Sequence, residues 1–397
     1  MNYTRLKIKD FTDDADSSVF VRVRPCPIFC LLYCLLLAGC QVAGLADAPL
    51  VTTVESRLGV DVGELIGDET AVPPSLATAY AAATAVARPA AELEPGSSRR
   101  NPLPATTELI TFNDWEVVVL EQLRGEAAWE QIRAANSNNQ PPPTGEEYLL
   151  LKLWVKNNST DPDEQSLGLH VTGNALKTHY SFDSDVVEPD PQLDTYLPGN
   201  SESIGWEAYR ITSDEGNLLL MVDDWRDYEA GYLYVALSPG AAIAVPEALA
   251  GVEKTAVGVT QSEPAPFGQM ITSDDWQARV VDVVTGEEAW QMVYEANQFN
   301  DPPPAGHSYL AVKLWLRYIG LVEGPHYTTD DNFAVVGSTV AQPSTVDPAP
   351  ELQFELFPGG EAEGWLVRLV ADSDANTSLR FSIPDGERYL SLVVSGR

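Results

Sequence analysis

Cysteine is confined to the first forty residues, where Cys26, Cys30, Cys34 and Cys40 are the four the chain has. A disulfide framework or thiolate metal site is therefore excluded from everything after position 40. Positive charge is scarce: 24 Lys and Arg face 58 Asp and Glu, for a net charge of −34. That balance argues against nucleic acid, whose binding draws on Lys and Arg to neutralise phosphates, and against anionic membrane surfaces. Histidine is limited to His170, His179, His307 and His326. No zinc-protease HExxH, no GxSxG nucleophile elbow and no phosphate-cradling glycine loop is present. The stretch Asp372-Ser373-Asp374-Ala375-Asn376 begins like a calcium loop but lacks the central Gly and the twelfth-position Glu. It reads as a polar hairpin turn, like Ser213-Asp214-Glu215-Gly216-Asn217. With histidines and acids read as surface groups, the expectation is no catalytic residue, no metal, no cofactor and no enzyme.

What is present begins with a leader. Arg22 and Arg24 precede the apolar run Ile28–Ala38, which has the length of a signal-peptide h-region and falls short of the ~20 residues a membrane span needs. It ends in Leu37-Ala38-Gly39-Cys40, which resembles the bacterial lipobox. That resemblance implies that Cys40 becomes the lipidated first residue of the mature protein and anchors it, extracytoplasmically, to the bacterial cell membrane. From 41 to 106 the chain is rich in Ala and Pro and reads as a flexible linker.

The rest of the chain says one segment twice. Trp115 to Trp154 returns, without insertion, as Trp276 to Trp315, 161 positions on. A period of that size is a domain duplication rather than a solenoid, whose repeat is about 20–50 residues. Each copy opens on alternating residues, Trp115, Val117 and Val119 or Trp276, Ala278 and Val280, that predict a strand. A helix is predicted next. Ala128, Trp129, Ile132 and Ala135 share one face, as do Ala289, Trp290, Val293 and Ala296, with Asn136 and Asn297 placed to close it in a left-handed conformation. Pro141–Pro143 and Pro302–Pro304 then forbid helix. In the following strand Leu149, Leu151, Leu153 and Val155, matched by Leu310, Val312, Leu314 and Leu316, form a core face. The opposite face carries Tyr148, Lys152 and Trp154, or Tyr309, Lys313 and Trp315. It is the candidate aromatic surface, a platform for sugar rings or a protein partner unless the helix covers it. Pro198-Gly199 and Pro358-Gly359 predict type II turns, each followed by Gly-Trp (Gly205-Trp206, Gly364-Trp365) and another strand.

The Trp-bearing strand, the Pro-Pro-x-Gly-x-x-Tyr-Leu segment and the late Pro-Gly resemble an immunoglobulin-like, telokin-like domain family common in exported bacterial lipoproteins. The family supplies no catalytic or binding residues to carry over. The fold expected is all-β: two tandem immunoglobulin-like sandwiches over 107–240 and 268–397, each with a short helical insert, joined by a linker over 241–267 that leaves them semi-independent. The function expected is a cell-surface lipoprotein acting as a non-catalytic binding module for a protein or polysaccharide. The alternative is a passive structural or stress-related envelope spacer.

Overall fold

The computed structural model describes residues 89–393 other than 228–230, 247, 248, 250, 251, 339, 344, 345, 375, 376 and 385. The leader, Cys40 and most of the segment 41–106 lie outside the described residues. No helix among the described residues is long and apolar enough to cross a membrane.

The first copy contains β1 (Ile110–Phe112), β2 (Trp115–Arg124), α1 (Glu126–Ala135), β3 (Glu146–Asn157), β4 (Gln165–Thr172), β5 (Thr178–His179), β6 (Tyr196–Leu197), β7 (Ser201–Thr212), β8 (Leu219–Asp224) and β9 (Leu233–Ala236). The second contains β10 (Ile271–Thr272), β11 (Trp276–Thr285), α2 (Gly286–Ala296), β12 (His307–Tyr318), β13 (His326–Thr328), β14 (Phe333–Val336), β15 (Gln342–Pro343), β16 (Phe354–Leu356), β17 (Glu361–Ala371), β18 (Ser378–Ile383) and β19 (Gly386–Ser391). Strand order is β1-β2-β3-β7 facing β5-β4-β8-β9 in the first copy, and β10-β11-β12-β17-β15 facing β14-β18-β19 in the second. One core gathers Trp115, Leu149, Leu151, Leu153 and Val155 with Leu169, Leu220 and Val235 from the opposing sheet. The other gathers Trp276, Leu310, Val312, Leu314 and Leu316 with Val335, Leu379 and Phe381. The protein is all-β, two sandwiches whose cores rest on alternation, each fully buried Leu contributing about 1.5–3 kcal/mol.

The alternation breaks at one matched place. Pairing shifts between Val119 and Glu121 in the first copy and between Val280 and Asp282 in the second. These are β-bulges, in which one extra residue turns the strand over. Val119 packs on the sandwich core, whereas Leu123 packs outward against α1; Val280 and Val284 divide in the same way. The apolar doublets Val119-Leu120 and Val280-Val281 are the trace of this in the sequence.

The helices end differently from the expectation. Asn136 and Asn297 are extended (φ −147° and −154°), not left-handed. Closure comes three residues later: the Asn139 amide donates to the Ile132 carbonyl at 2.8 Å, and the Asn300 amide to that of Val293 at 3.1 Å. The late turns also diverge. Gly359 is left-handed (φ 92°) as expected, but in the first copy Asn200 (φ 62°) takes that role. Gly205 and Gly364 answer to space: a Cβ at Gly205 would run into the backbone of Gln192 and Leu193, and one at Gly364 into the Glu351 carbonyl.

Both segments read as linkers contribute to the sandwiches. Leu103 N donates to Tyr234 O and Ala236 N to Leu103 O, both at 2.8 Å. Ala265 N donates to Tyr389 O at 2.8 Å and Ser391 N to Ala265 O at 2.7 Å. Each of these residues stands between two prolines, Pro102 and Pro104 or Pro264 and Pro266. One residue pairs with the last strand of its sandwich, and the flanking prolines have no N–H to extend the edge. The repeat therefore starts earlier than Trp115, near Gly96 and Gly258, whose carbonyls accept from Tyr234 N and Tyr389 N.

Nor are the copies semi-independent. Leu176, Leu219, Met221, Tyr234, Ala241, Ile243 and Phe357 form one buried cluster drawn from both copies and the spacer between them. Phe357 N donates to Leu176 O at 2.9 Å. Arg99, 0% exposed, lies 4.9 Å over the Phe357 ring, and Arg100 pairs with Glu323 at 3.0 Å. Burial lowers the Arg99 guanidinium to about 10. Periodicity within a copy carries no signal for such a junction, because the contacting residues are far apart in sequence and belong to no shared element.

Candidate functional site

The candidate aromatic surface is divided by its own helix. Ala128 and Ile132 of α1 cover Tyr148, Leu150, Trp206 and Ala208; Ala289 and Val293 of α2 cover Ala311 and Val367. Tyr148 stacks on Trp129 at 6.1 Å and Tyr309 on Trp290 at 5.8 Å. Their hydroxyls donate to the Gln140 and Asp301 carbonyls, each at 3.1 Å. Burial pushes both phenols up. Tyr148 and Tyr309 thus hold a helix and a Pro loop in place and are not part of an open platform. Lys152, Trp154, Lys313 and Trp315 lie beyond the helix and remain half-buried.

Register shows what surrounds each tryptophan. In the first copy Val118, Trp154 and Ile204 are directly opposite one another across β2, β3 and β7. Ile204 is 47% exposed. Adjacent rows are Glu116, Lys156 and Glu202 on one side and Glu121, Lys152 and Trp206 on the other. Lys152 sits 5.4 Å over the Trp206 ring, and Lys156 is 3.8 Å from Glu116. The arrangement is an apolar row between charged rows. In the second copy the same row reads Arg279, Trp315 and Glu363. The Arg279 guanidinium lies 5.3 Å over the Trp315 ring, whose indole N–H donates to Glu361 at 3.3 Å. Lys313 pairs with Glu363 at 2.9 Å. Its tryptophan is enclosed in its own charge network.

Histidines were expected at the surface, but two are buried. His170 Nε2 lies 3.1 Å from Asp223 Oδ1, and His179 Nε2 lies 2.9 Å from Glu215 Oε2. Burial alone would raise the Glu215 carboxyl, but His179 and the Thr212 N–H and hydroxyl outweigh it and hold it below its ordinary value. Glu215 therefore points inward as a structural group within the hairpin turn. In the other turn the Asp374 carboxylate accepts from Ser338 N at 2.9 Å. Among the described residues no three His, Cys, Asp or Glu side chains are grouped to hold a metal ion.

Half-buried acids are a feature that the spacing did not reveal. Burial raises Glu207, which accepts from Tyr209 at 2.8 Å, and also Glu188. In the second copy burial raises Asp347 to about 6, against the Val367 N–H at 2.7 Å and the nearby Arg368. Arg368 itself is buried, 3.1 Å from Asp330, and donates to the Phe333 carbonyl. Tyr209 and Arg368 occupy matching places on β7 and β17, so one copy answers its half-buried acid with a phenol and the other with a guanidinium.

Fold and surface together define an all-β protein of two joined sandwiches with one apolar outer row. No family model and no curated protein matches the chain. Among solved structures it is similar to a presumptive lipoprotein, YcdA, from Bacillus subtilis, at 13% identity and a TM-score of 0.25 over 31% of this chain. The chain spans 38% of the length of that protein. It is also similar to an uncharacterized β-sandwich protein from Clostridium difficile, at 9% identity and a TM-score of 0.22, over 33% of this chain and 95% of that one.

Proposed function

We propose that the chain is an extracytoplasmic bacterial lipoprotein, anchored by a lipid on Cys40, whose first sandwich is a non-catalytic binding module for an envelope protein or polysaccharide. The lipid assignment is supported by the leader and its Leu37-Ala38-Gly39-Cys40 ending. Cys40→Ser should move the protein from the detergent phase to the aqueous phase on partition; retention in detergent overturns the anchor. The binding assignment rests on the Val118-Trp154-Ile204 row, an apolar strip flanked by charge, which is the anatomy of a contact surface. Its test compares soluble 89–397, which keeps Gly96 and Leu103, with the same fragment carrying Ile204→Asp in capture from envelope extract. Retention by the first and loss by the second is expected. Equal retention by both, or none above a charge-matched control, overturns the module.

A spacer is the second reading, and the junction favours it. Backbone bonding, the Arg99–Phe357 contact and the Arg100–Glu323 pair join the two sandwiches through buried groups. No retention in the capture experiment is the outcome the spacer predicts.

A further inference from the structure

The second sandwich has space where the first is filled. A cavity of about 420 Å³ opens where β12 begins and β17 ends, with Val335, Ala341, Leu369, Val370, Asp374 and Thr377 in its lining. That volume lies within the ~300–1,000 Å³ typical of small-molecule sites. Val335 is buried, whereas the other five are half-buried and reached from solvent. The cavity is on a different sandwich from the Trp154 row.

Backbone pairing identifies which residues of the first copy hold these places. Val171 pairs with His179 and with Leu220. Its counterpart Val335 accepts from Ala341 N at 2.9 Å and pairs with Leu379. Ala341 therefore stands where the first copy has His179, and Thr377, two residues before Leu379, where it has Leu218. Val370 opposite Ser308 answers to Ile211 opposite Glu147. The acids match as well. Glu215 N donates to Thr212 O and Asp374 N to Ala371 O. A Cβ on Gly173 would run into Glu215, and one on Gly337 into Asp374.

In the first copy this place is closed. The buried His179 imidazole sets Nε2 2.9 Å from Glu215 Oε2, and Leu218 and Ile211 are buried beside the same strands. The second copy has Ala for His, Thr for Leu and Val for Ile, so three side chains shorten while the carboxylate stays. Asp374 accepts from Ser338 N at 2.9 and 3.0 Å. A carboxylate offers about four acceptor positions, so an N–H donor can join this set. The missing group is a flat ring with an apolar body and an N–H. From the cavity, its carboxylate and the imidazole that fills the matching place, we infer that the second sandwich binds a small, free imidazole-type heterocycle, its N–H directed at Asp374 and its ring against Val335, Leu369 and Val370.

The experiment titrates the full chain in detergent, by calorimetry, with three probes. 4-Methylimidazole is the His179 side chain as a free molecule, 4-methylthiazole keeps its shape without the N–H, and Gly-His-Gly carries the ring on a peptide. Saturable binding of 4-methylimidazole in the millimolar range is expected. The thiazole should bind about tenfold more weakly or worse, as for the loss of a hydrogen bond to a charged group, and the peptide should also bind more weakly. Ala341→His rebuilds the arrangement of the first copy and should abolish binding. Thr377→Leu fills the cavity from another wall and should weaken binding at least about tenfold, by sterically excluding the ring. Asp374→Asn keeps an oxygen for the Ser338 N–H and should weaken it to the level of the thiazole. Absence of saturable binding, equal affinity for the thiazole, tighter binding of the peptide, or unchanged affinity in both cavity-filling variants each overturns the inference.

Discussion

The outer faces of β3 and β12 carry Tyr, Lys and Trp at the same register, yet the two tryptophans keep different company. Trp154 lies between Val118 and Ile204, whereas Trp315 lies between Arg279 and Glu363. The tyrosines do the same work in both copies, because α1 and α2 need a ring to stack on and a hydroxyl to hold the Pro loop. The tryptophans are beyond the helix, so their neighbours alone decide whether they face a partner or a salt-bridge network. A shared residue in a duplication thus signals a shared packing task. Chemistry follows the residues that differ.

The comparison can be broken most strongly at the junction. Phe357→Ala removes a fully buried ring and should cost about 3–5 kcal/mol. In calorimetry the wild type should melt in one transition and the variant in two, one for each sandwich; a single transition in the variant means that the copies are coupled by other contacts. The helix closures come next. Asn139 bonds both the Ile132 and Val187 carbonyls and accepts from Val187 N, so Asn139→Ala should cost about 2 kcal/mol. Asn300→Ala, which removes the matching Val293 closure, should also destabilise. An unchanged denaturant midpoint in either variant would show that the amide does not close its helix.

Acid titration sharpens the contrast further. Asp347 is raised to about 6 in the folded chain from an ordinary 3.8, so the folded state binds the proton more tightly than the unfolded one. Its favourable contribution is complete below about pH 4 and is lost as pH rises through about 6. Asp347→Asn should leave Tm unchanged at pH 3.5 and raise it at pH 7.5. Glu207, also raised by burial, should behave with the same sign in Glu207→Gln. A fall in Tm at pH 7.5 for either variant would contradict the sign. The smallest effect belongs to Val118→Arg, which gives the first copy the Arg279 arrangement. As a surface change it should alter stability by less than about 0.5 kcal/mol while abolishing capture of the envelope partner. Unimpaired capture would show that the apolar row is not the contact.

Much of this was legible because it is periodic or local. The β3 and β12 core faces, the amphipathic helices and the Gly-Trp strands follow from residues spaced by two or by 3.6. The bulges left a trace as well, in apolar doublets, as did the edge segments in Pro102-Leu103-Pro104 and Pro264-Ala265-Pro266. The helix closures lie three residues beyond the position that spacing predicts, because Asn136 and Asn139 suit a cap equally in one dimension. Only the folded chain shows which amide reaches a carbonyl.

The duplication, the all-β class and the two sets of core residues follow from local pattern alone, because repetition and alternation are properties of positions along the chain. What lies opposite each strand position is fixed only in the folded chain. Folding buried His170, His179, Glu215 and Arg99, joined the two sandwiches through Phe357, and placed Ile204 beside Trp154 but Glu363 beside Trp315. Those outcomes depend on register and on contacts between segments distant along the chain, which set the dielectric and the partners that a side chain meets.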